Sequence, residues 1–191
     1  MQEQAGVKDQ KKVILKTTVG RRIAADAEIH KLTESSKALE QLIMKLEREK
    51  KKTEQEAVEK MAFTEKKNRL PWPVQGNIVM KFGRNKHPEF DTYIISNGVR
   101  IKTAGNCDVK AVSKGEIIFC GDFRSYGLMV IIDHGGGFYS VYGSLGDISV
   151  SDGAQVKAGG VIGELSSGDD PVLYFEVRAD GKVQDPLLWL K

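Results

Sequence analysis

The chain has 191 residues, of which 40% are hydrophobic and 29% charged, an ordinary balance for a soluble domain plus an appendage. Its formal charge of +3 gives no global case for nucleic-acid binding, although local basic patches stay open. No apolar run approaches the roughly 20 residues of a membrane helix, and polar residues rather than a secretory signal follow Met1. The residues alone predict either a cytoplasmic protein or a chain whose natural start lies further upstream.

The N-terminal segment predicts a long helix. Residues 21–69 contain no proline or glycine and are rich in Glu, Lys, Ala, Gln and Leu. Leu32, Leu39 and Leu46 recur every seven residues, which is typical of a coiled coil, and we expect residues 1–69 to form such a segment. The apolar stripe is short, so the helix needs a partner. That partner is a second chain, a further helix or the C-terminal domain.

The sequence changes character at Leu70-Pro71-Trp72-Pro73, where two prolines end the helical pattern. Beyond this point glycine becomes frequent, and short β-branched or aromatic runs are bounded by Gly, Asp, Asn and Ser. These runs are 77–82, 116–119, 128–132 and 138–142. Their spacing predicts a compact all-β domain over residues 70–191. The stretch 152–163 indicates a turn, a strand with one buried valine and a second turn, as where a β-sandwich folds back on itself.

Cysteine and histidine indicate no metal site. Cys107 and Cys120 fit neither a disulfide framework nor a zinc motif, so we expect free and mostly buried thiols, with a bridge left open. His30, His87 and His134 are scattered along the chain. His134 follows a predicted strand, and we expect it to be a turn or packing residue.

Landmarks of one known family follow each other in order between Leu70 and Lys191. They are Trp72-Pro73-Val74, Phe82-Gly83, Ser96-Asn97-Gly98-Val99-Arg100-Ile101, Val109-Lys110-Ala111-Val112 with Gly115, Tyr126-Gly127, Asp133-His134-Gly135, Tyr142-Gly143-Ser144-Leu145, Leu173-Tyr174-Phe175-Glu176-Val177, and Asp185-Pro186 with Trp189. In this combination the segment resembles the LytM or lysostaphin-type peptidoglycan metallopeptidases. The resemblance implies an all-β LytM-like β-sandwich of the duplicated-hybrid-motif kind, preceded here by the long coiled-coil helix.

The zinc ligands of that family are missing at the matching positions. Active members hold zinc with a His-x-x-x-Asp pair and the second His of a His-x-His motif, and they add catalytic histidines in His-x-His and Tyr-x-His-Leu. Three such ligands leave one position for a water whose pKa the metal lowers. Here the positions carry Ser96 and Arg100, Val172 and Tyr174, and Ser144. A fixed guanidinium at Arg100 would repel a cation. We therefore expect no metal, no cofactor and no catalysis.

The groove that remains is predicted to bind a partner. It is rich in tyrosine and arginine, which are enriched at protein-interface hot spots. The predicted groove residues are Tyr174, Arg178, Arg100, Tyr126, Tyr142, Ser144, Asn97 and Met129. An alternative interpretation of the strand tyrosines is that they pack in the core, and it applies to Tyr142 in particular.

The combination of a coiled coil, a Leu-Pro-Trp-Pro junction and a LytM domain without zinc ligands resembles the EnvC-type murein hydrolase activators. The resemblance implies a periplasmic protein whose groove binds a peptidoglycan N-acetylmuramoyl-L-alanine amidase and activates it in cell separation. It also implies that the coiled coil connects to an FtsEX-type membrane complex, and that a helix can cover the groove until that complex acts. Whether residues 21–69 cover the groove or project from the domain is open at this point.

Three other functions stay open. A peptidoglycan-binding module without amidase activation would stack its tyrosines on sugars and pair its arginines with peptide carboxylates. A metalloenzyme would need a different set of ligands. A biotin or lipoate carrier is suggested only by residues 153–163, which offer no lysine at an exposed hairpin tip.

Overall fold

The computed structural model describes residues 2–49, 63–87, 89–166 and 171–191, with helix side chains from residue 18 to residue 47. A long helix, α1, spans Gln2–Glu49 and lies within the predicted helical segment 1–69, beginning before the proline- and glycine-free stretch that starts at residue 21. It passes through Gly20, where an added Cβ would meet only open space. The predicted continuation of the helix through residues 50–62 lies outside the described residues. No helix in the described ranges is long and apolar enough to cross a membrane.

The rest of the described chain is mostly β-sheet, as expected. The strands are β1 (Asn77–Met80), β2 (Gly83–Lys86), β3 (Tyr93–Ser96), β4 (Val99–Lys102), β5 (Asp108–Lys110), β6 (Gly115–Asp122), β7 (Leu128–Asp133), β8 (Phe138–Leu145), β9 (Asp147–Ile148), β10 (Gln155–Val156), β11 (Val161–Glu164), β12 (Val172–Ala179) and β13 (Lys182–Gln184). Short 3-10 turns span Arg124–Tyr126 and Pro186–Leu188. The four predicted apolar runs correspond to β1, β6, β7 and β8.

The described strands form three sheets. The main sheet has eight strands in the order β1-β4-β12-β8-β7-β6-β10, with β13 paired to β12. A three-stranded sheet has the order β5-β11-β9, and β2 and β3 form a separate ribbon. The central pairs of the main sheet are antiparallel, so neighbouring side chains on each strand alternate between its two faces.

The main core lies between the main sheet and the three-stranded sheet. Ile101, Val130 and Phe175 of the main sheet are buried in one cluster with Val109 and Ile162 of the smaller sheet. Removing these side chains from water is the dominant favourable contribution to folding. The packing supports the predicted β-sandwich only in part, since the second layer contributes three short strands.

The end of the chain closes this core together with the Leu-Pro-Trp-Pro junction. The Leu70 amide donates to the Trp189 carbonyl over 2.9 Å, and the Lys191 amide donates to the Leu70 carbonyl over 2.9 Å. Phe63 stacks on Phe138 with ring centroids 4.5 Å apart. The junction is therefore packed structure, and the proposed division of the chain at residue 70 stays a prediction.

Candidate protein-binding face of the main sheet

Alternate residues of three neighbouring strands share the face of the main sheet that points away from the core. We name this surface the groove face. It comprises Tyr174, Glu176 and Arg178 of β12, Tyr139 and Val141 of β8, and Met129 and Ile131 of β7. Tyr126, from the 3-10 turn before β7, packs against its apolar members in a second buried cluster.

Helix α1 covers the groove face. Leu39 and Ile43 are fully buried and belong to the same cluster as Met129 and Tyr174. Their spacing of four residues places both on one side of the helix. The predicted leucine stripe therefore packs on a sheet at Leu39, and coiled-coil pairing stays a prediction for the rest of the helix.

Polar contacts fix the same part of α1 to the domain. The side-chain amide of Asn97 donates to Ser36 Oγ over 2.6 Å, and the hydroxyls of Ser35 and Ser125 hydrogen-bond to each other. Tyr126 also shares a hydrogen bond with Ser36. These bonds lie one turn before Leu39, so the helix is held by polar contacts at this point and by apolar contacts further along.

A buried polar cluster lies beneath the helix on β12. The Tyr174 hydroxyl donates to Glu176 Oε2, and Arg178 Nη1 donates to Glu176 Oε1 over 2.9 Å. Arg178 also donates to the Gly181 carbonyl over 3.2 Å. Burial raises the pKa of Glu176 to about 7, although Arg178 and the Tyr174 hydroxyl act in the opposite direction. Arg178 is only 2% exposed, so it supports Glu176 from within the fold.

Glu47 brings a carboxylate of α1 to this cluster. Partial burial raises the pKa of Glu47, Arg178 lowers it, and Asp180 and Asp133 raise it further. A Cβ built on Gly181 would lie 3.0 Å from Glu47 Oε2, so the helix approaches the backbone closely here. The glycine therefore leaves room for the acidic end of the covered segment of α1.

The structure brings most of the predicted groove residues under α1 or beside it. Tyr174, Tyr126 and Met129 are buried beneath the helix, and Asn97 bonds to it. The Arg100 guanidinium carbon lies 6.0 Å from the centroid of the Tyr174 ring, and the side chain is partly exposed. These residues lie on one surface, and α1 occupies its apolar part.

Tyr142 and Ser144 lie elsewhere. Tyr142 is fully buried in the main core, where its hydroxyl accepts from the Val112 amide over 3.0 Å. The alternation of β8 turns it away from Tyr139 and Val141, so the predicted groove role of Tyr142 is corrected to a packing role. Ser144 is partly exposed, with a backbone φ of +62°, and does not belong to the cluster covered by α1.

The residues at the family's zinc positions do not fit a zinc ion. Ser96 donates its hydroxyl to the Gly98 carbonyl over 2.8 Å and closes a turn, and Tyr174 donates to Glu176. Arg100 adds a permanent cation, whereas zinc needs neutral imidazole, thiolate or carboxylate donors. In the described ranges, no three His, Cys, Asp or Glu residues lie together in a way that could hold a metal.

His134 has the packing role expected for it. It is 8% exposed, with Nδ1 2.7 Å from the Lys114 carbonyl and Nε2 2.7 Å from Ser140 Oγ. The carbonyl can only accept, so Nδ1 carries the proton and Nε2 accepts from Ser140. Burial lowers the pKa of His134 to about 4. Cys107 and Cys120 are both free, but each is partly exposed and not mostly buried as expected.

Sequence reasoning missed several residues of the groove face. They are Ile131, Tyr139, Val141 and Glu176, together with Ile43 of the helix as a contact to the sheet. Strand alternation was the available signal, because Met129 and Tyr174 each imply neighbours two positions along on the same face. The resemblance allowed a helix over the groove, but no residue pattern indicated that α1 packs on this face.

The sheet, its closing junction and the altered zinc positions together define a LytM-like peptidase-type domain. Residues 95–186 match the family model for peptidase family M23 and form a domain of that family. The murein hydrolase activator EnvC of Escherichia coli K12 is 34% identical over 122 residues, which cover 62% of this chain and 28% of that protein. A lipoprotein NlpD/LppB homolog of Pseudomonas aeruginosa is 36% identical over 122 residues, covering 62% of this chain and 39% of that protein.

A solved structure gives the same assignment of the fold. The crystal structure of a putative peptidase M23 from Pseudomonas aeruginosa matches with a TM-score of 0.53 and 30% identity, covering 64% of this chain and 50% of that chain. The chain thus spans about half or less of the length of these similar proteins.

Proposed function

We propose that this protein is a non-catalytic activator of a peptidoglycan N-acetylmuramoyl-L-alanine amidase, which binds the groove face during cell separation. One observation carries the proposal: a peptidase-type face with tyrosine and arginine at its zinc positions holds an amphipathic helix. A surface that accepts one helix is suited to a helix of a partner protein. The names of the similar proteins, a murein hydrolase activator and a lipoprotein, support this role and a location in the periplasm.

In this proposal the bound helix α1 is the resting state. The amidase and α1 compete for the groove face, because Leu39 and Ile43 occupy its apolar surface. A partner shifts such an equilibrium only by the difference between its affinities for the two states. A signal that pulls α1 away, from an FtsEX-type membrane complex acting on the upstream helix, would therefore expose the face to the amidase.

The contacts of α1 describe what the amidase should present. Two aliphatic residues four apart fill the surface beside Met129 and Tyr174, and a hydroxyl one turn earlier accepts from Asn97. One turn later, where Glu47 lies, the positive charge of Arg178 favours an acidic residue. We expect the activating element of the amidase to be a helix with this pattern.

Release of coloured fragments from dye-labelled murein tests the proposal with the full chain. Leu39→Asp together with Ile43→Asp introduces two carboxylates into the covered cluster and should undock α1. We expect this double variant to stimulate the amidase about tenfold more than the wild type does. A tenfold change corresponds to a loss of roughly 1.4 kcal/mol in the free energy with which α1 binds the groove face. Met44→Asp is the matched control, because Met44 is 50% exposed on the same helix and its replacement should change nothing.

A second arm asks whether stimulation uses the groove face. In the double-variant background, Arg100→Glu should abolish stimulation, while Lys110→Glu, on an exposed strand residue of the three-stranded sheet, should not. Failure of the double variant to stimulate would contradict the proposal. Dye release by the protein alone would contradict its non-catalytic part.

The alternative, peptidoglycan binding without amidase activation, makes a different prediction. The double variant would then be retained on murein sacculi in the absence of amidase and would leave amidase turnover unchanged. Although α1 covers the groove face against either ligand, the Tyr174 hydroxyl is already bonded to Glu176 and is not available to a sugar. This arrangement favours the activator function over sugar stacking.

A further inference from the structure

A second surface, outside the groove face, has the composition of a protein-binding site. Strands β2 and β3 form a ribbon in which Arg84 is opposite Ile95 and Lys86 is opposite Tyr93. All four of these side chains are exposed, whereas their neighbours along each strand are partly or fully buried. We name this outward surface, formed by Arg84, Lys86, Tyr93 and Ile95, the ribbon face.

The ribbon face exposes unusually large apolar groups. Ile95 is 79% exposed and Tyr93 is 48% exposed. The guanidinium carbon of Arg84 lies 3.5 Å from the centroid of the Tyr93 ring, so the two side chains hold each other in place. Tyrosine and arginine that are already ordered lose little conformational entropy on binding, which is a property of interface hot spots.

The ribbon face continues the interface that α1 makes with the domain. Strand β3 ends at Ser96, and the next residue, Asn97, donates to Ser36 of the helix. The ribbon face itself stays exposed while α1 covers the groove face. A protein that reaches one surface therefore has the other directly beside it.

Charge indicates what kind of partner fits. On the groove face, the positive charge of Arg178 lowers the pKa of Glu47 of α1 through space, so an acidic residue is favoured at that point in an occupant that replaces the helix. The ribbon face is also positively charged. The charge of Arg84 is not compensated, because Arg84 forms no ion pair with a carboxylate of the described residues. Lys86 meets Asp91 at 3.3 Å, but both side chains are largely exposed and such pairs are weak. Arg84 covers one side of the Tyr93 ring, which disfavours stacking of a sugar there.

We propose that the ribbon face is a docking site for an acidic and apolar segment of the amidase, used while α1 still covers the groove face. The proposal rests on the proposed function and adds a separate first contact to it. The amidase would then be bound before the helix is displaced, and release of α1 would convert a docked amidase into an active one.

Binding of a fluorescently labelled amidase from the same organism to the full chain tests this site. Ile95→Asp, Arg84→Glu and Tyr93→Ala should each weaken the affinity for the α1-covered protein by about tenfold or more, as expected for a hot spot. Val161→Asp is the matched control, because Val161 is an exposed strand valine, 41% accessible, in the three-stranded sheet. It should leave the affinity within about twofold. Unchanged melting temperatures would show that all four variants fold.

The outcomes separate this proposal from the one on which it rests. If Ile95→Asp and Arg84→Glu bind the amidase as the wild type does, the ribbon face is not the docking site, and groove-face activation stands. If neither the wild type nor the Leu39→Asp, Ile43→Asp variant binds the amidase, both proposals are overturned. Sedimentation with phosphatidylglycerol vesicles or murein sacculi that Ile95→Asp abolishes, with amidase binding unchanged, would overturn the protein partner in favour of a membrane or a glycan.

Discussion

At the scale of single residues, Arg178 shows how a charge can belong to a face without being open to a partner. It lies on the groove face, yet its guanidinium is occupied by Glu176 and the Gly181 carbonyl. Sequence reasoning listed Arg178 with Tyr174 as groove residues, and both lie on the groove face because alternate residues of one strand share a face. It could not reveal that the side chain is buried, since burial here depends on α1 and on the Gly181 turn.

Replacing Arg178 alone should lower the free energy of unfolding more than replacing Arg178 and Glu176 together. Arg178→Met leaves the buried Glu176 carboxyl without its partner and raises its pKa further, and we expect a loss of about 1–3 kcal/mol in the free energy of unfolding. The double variant Glu176→Gln, Arg178→Met should lose clearly less, because no charge is stranded. Urea unfolding at pH 7.5 measures both. Equal losses in the single and double variants would show that the packing of Arg178, and not its charge, is what matters.

His134 gives the fold a defined dependence on pH. Its pKa is about 4 in the folded protein, against 6.5 when unperturbed, so between these values only the unfolded chain takes up the proton. Its contribution to stability should fall by up to about 3 kcal/mol as the pH drops from 6.5 to 4. Unfolding measured across this range for the wild type and His134→Gln isolates the effect as a difference.

The His134→Gln variant is needed because acidification changes the free energy of unfolding in the opposite direction at Glu176. Its raised pKa of about 7 means that the folded protein holds a proton which the unfolded chain releases above 4.5. Acidification from pH 7 to 4.5 is therefore stabilising at Glu176 and destabilising at His134. Identical pH profiles for the wild type and His134→Gln would contradict the predicted titration.

At the scale of elements, α1 marks the limit of what the sequence predicts. Its composition predicts a helix, and the structure confirms one over Gln2–Glu49. The stripe that includes Leu39 only requires an apolar partner, and a sheet satisfies this as well as a second helix does. The sequence could not predict on which face of the main sheet Tyr142 lies, because a tyrosine suits either side of a strand. The structure places it in the main core, where its hydroxyl accepts a hydrogen bond from the Val112 amide.

Docking on the groove face should protect the backbone of α1. A single helix without tertiary contacts is only marginally stable in water, so undocking should speed hydrogen exchange of its amides. For Leu39→Asp with Ile43→Asp we expect exchange in residues 35–47 to rise by at least about tenfold, equivalent to about 1.4 kcal/mol of lost protection. Mass spectrometry of peptic fragments measures it.

The matched control for that experiment is again Met44→Asp, whose side chain faces away from the sheet. Its exchange in residues 35–47 should resemble that of the wild type. Equally slow exchange in the double variant would mean that the helix is held by contacts other than Leu39 and Ile43.

At the scale of the whole molecule, the main sheet is buried on both sides. One face packs on the three-stranded sheet and the chain end, and the other packs on α1. The first could be foreseen, because short alternating strands predict a sheet with one buried face. The second was left open, because an antiparallel sheet of this size can leave its other face in water and the resemblance allowed a helix either to cover the groove or to project from the domain.

The molecule as a whole should neither bind zinc tightly nor depend on it. Ser96, Arg100 and Tyr174 offer no suitable donor set, so we expect far less than one zinc per chain after dialysis from a zinc-containing buffer. EDTA should leave the melting temperature unchanged. An active M23 peptidase treated in parallel is the control. Near-stoichiometric zinc would instead indicate a metal site built from other residues.

The connection of α1 to the domain that it covers has a quantitative consequence. Because helix and domain belong to one chain, joined through residues 50–62, α1 competes as a tethered ligand whose effective concentration is on the order of millimolar. A free helix with the same intrinsic affinity for the groove face would need a similar concentration to displace α1 in half of the molecules. A competitor present at about 1 μM would thus have to bind roughly a thousandfold more tightly, a difference of about 4 kcal/mol.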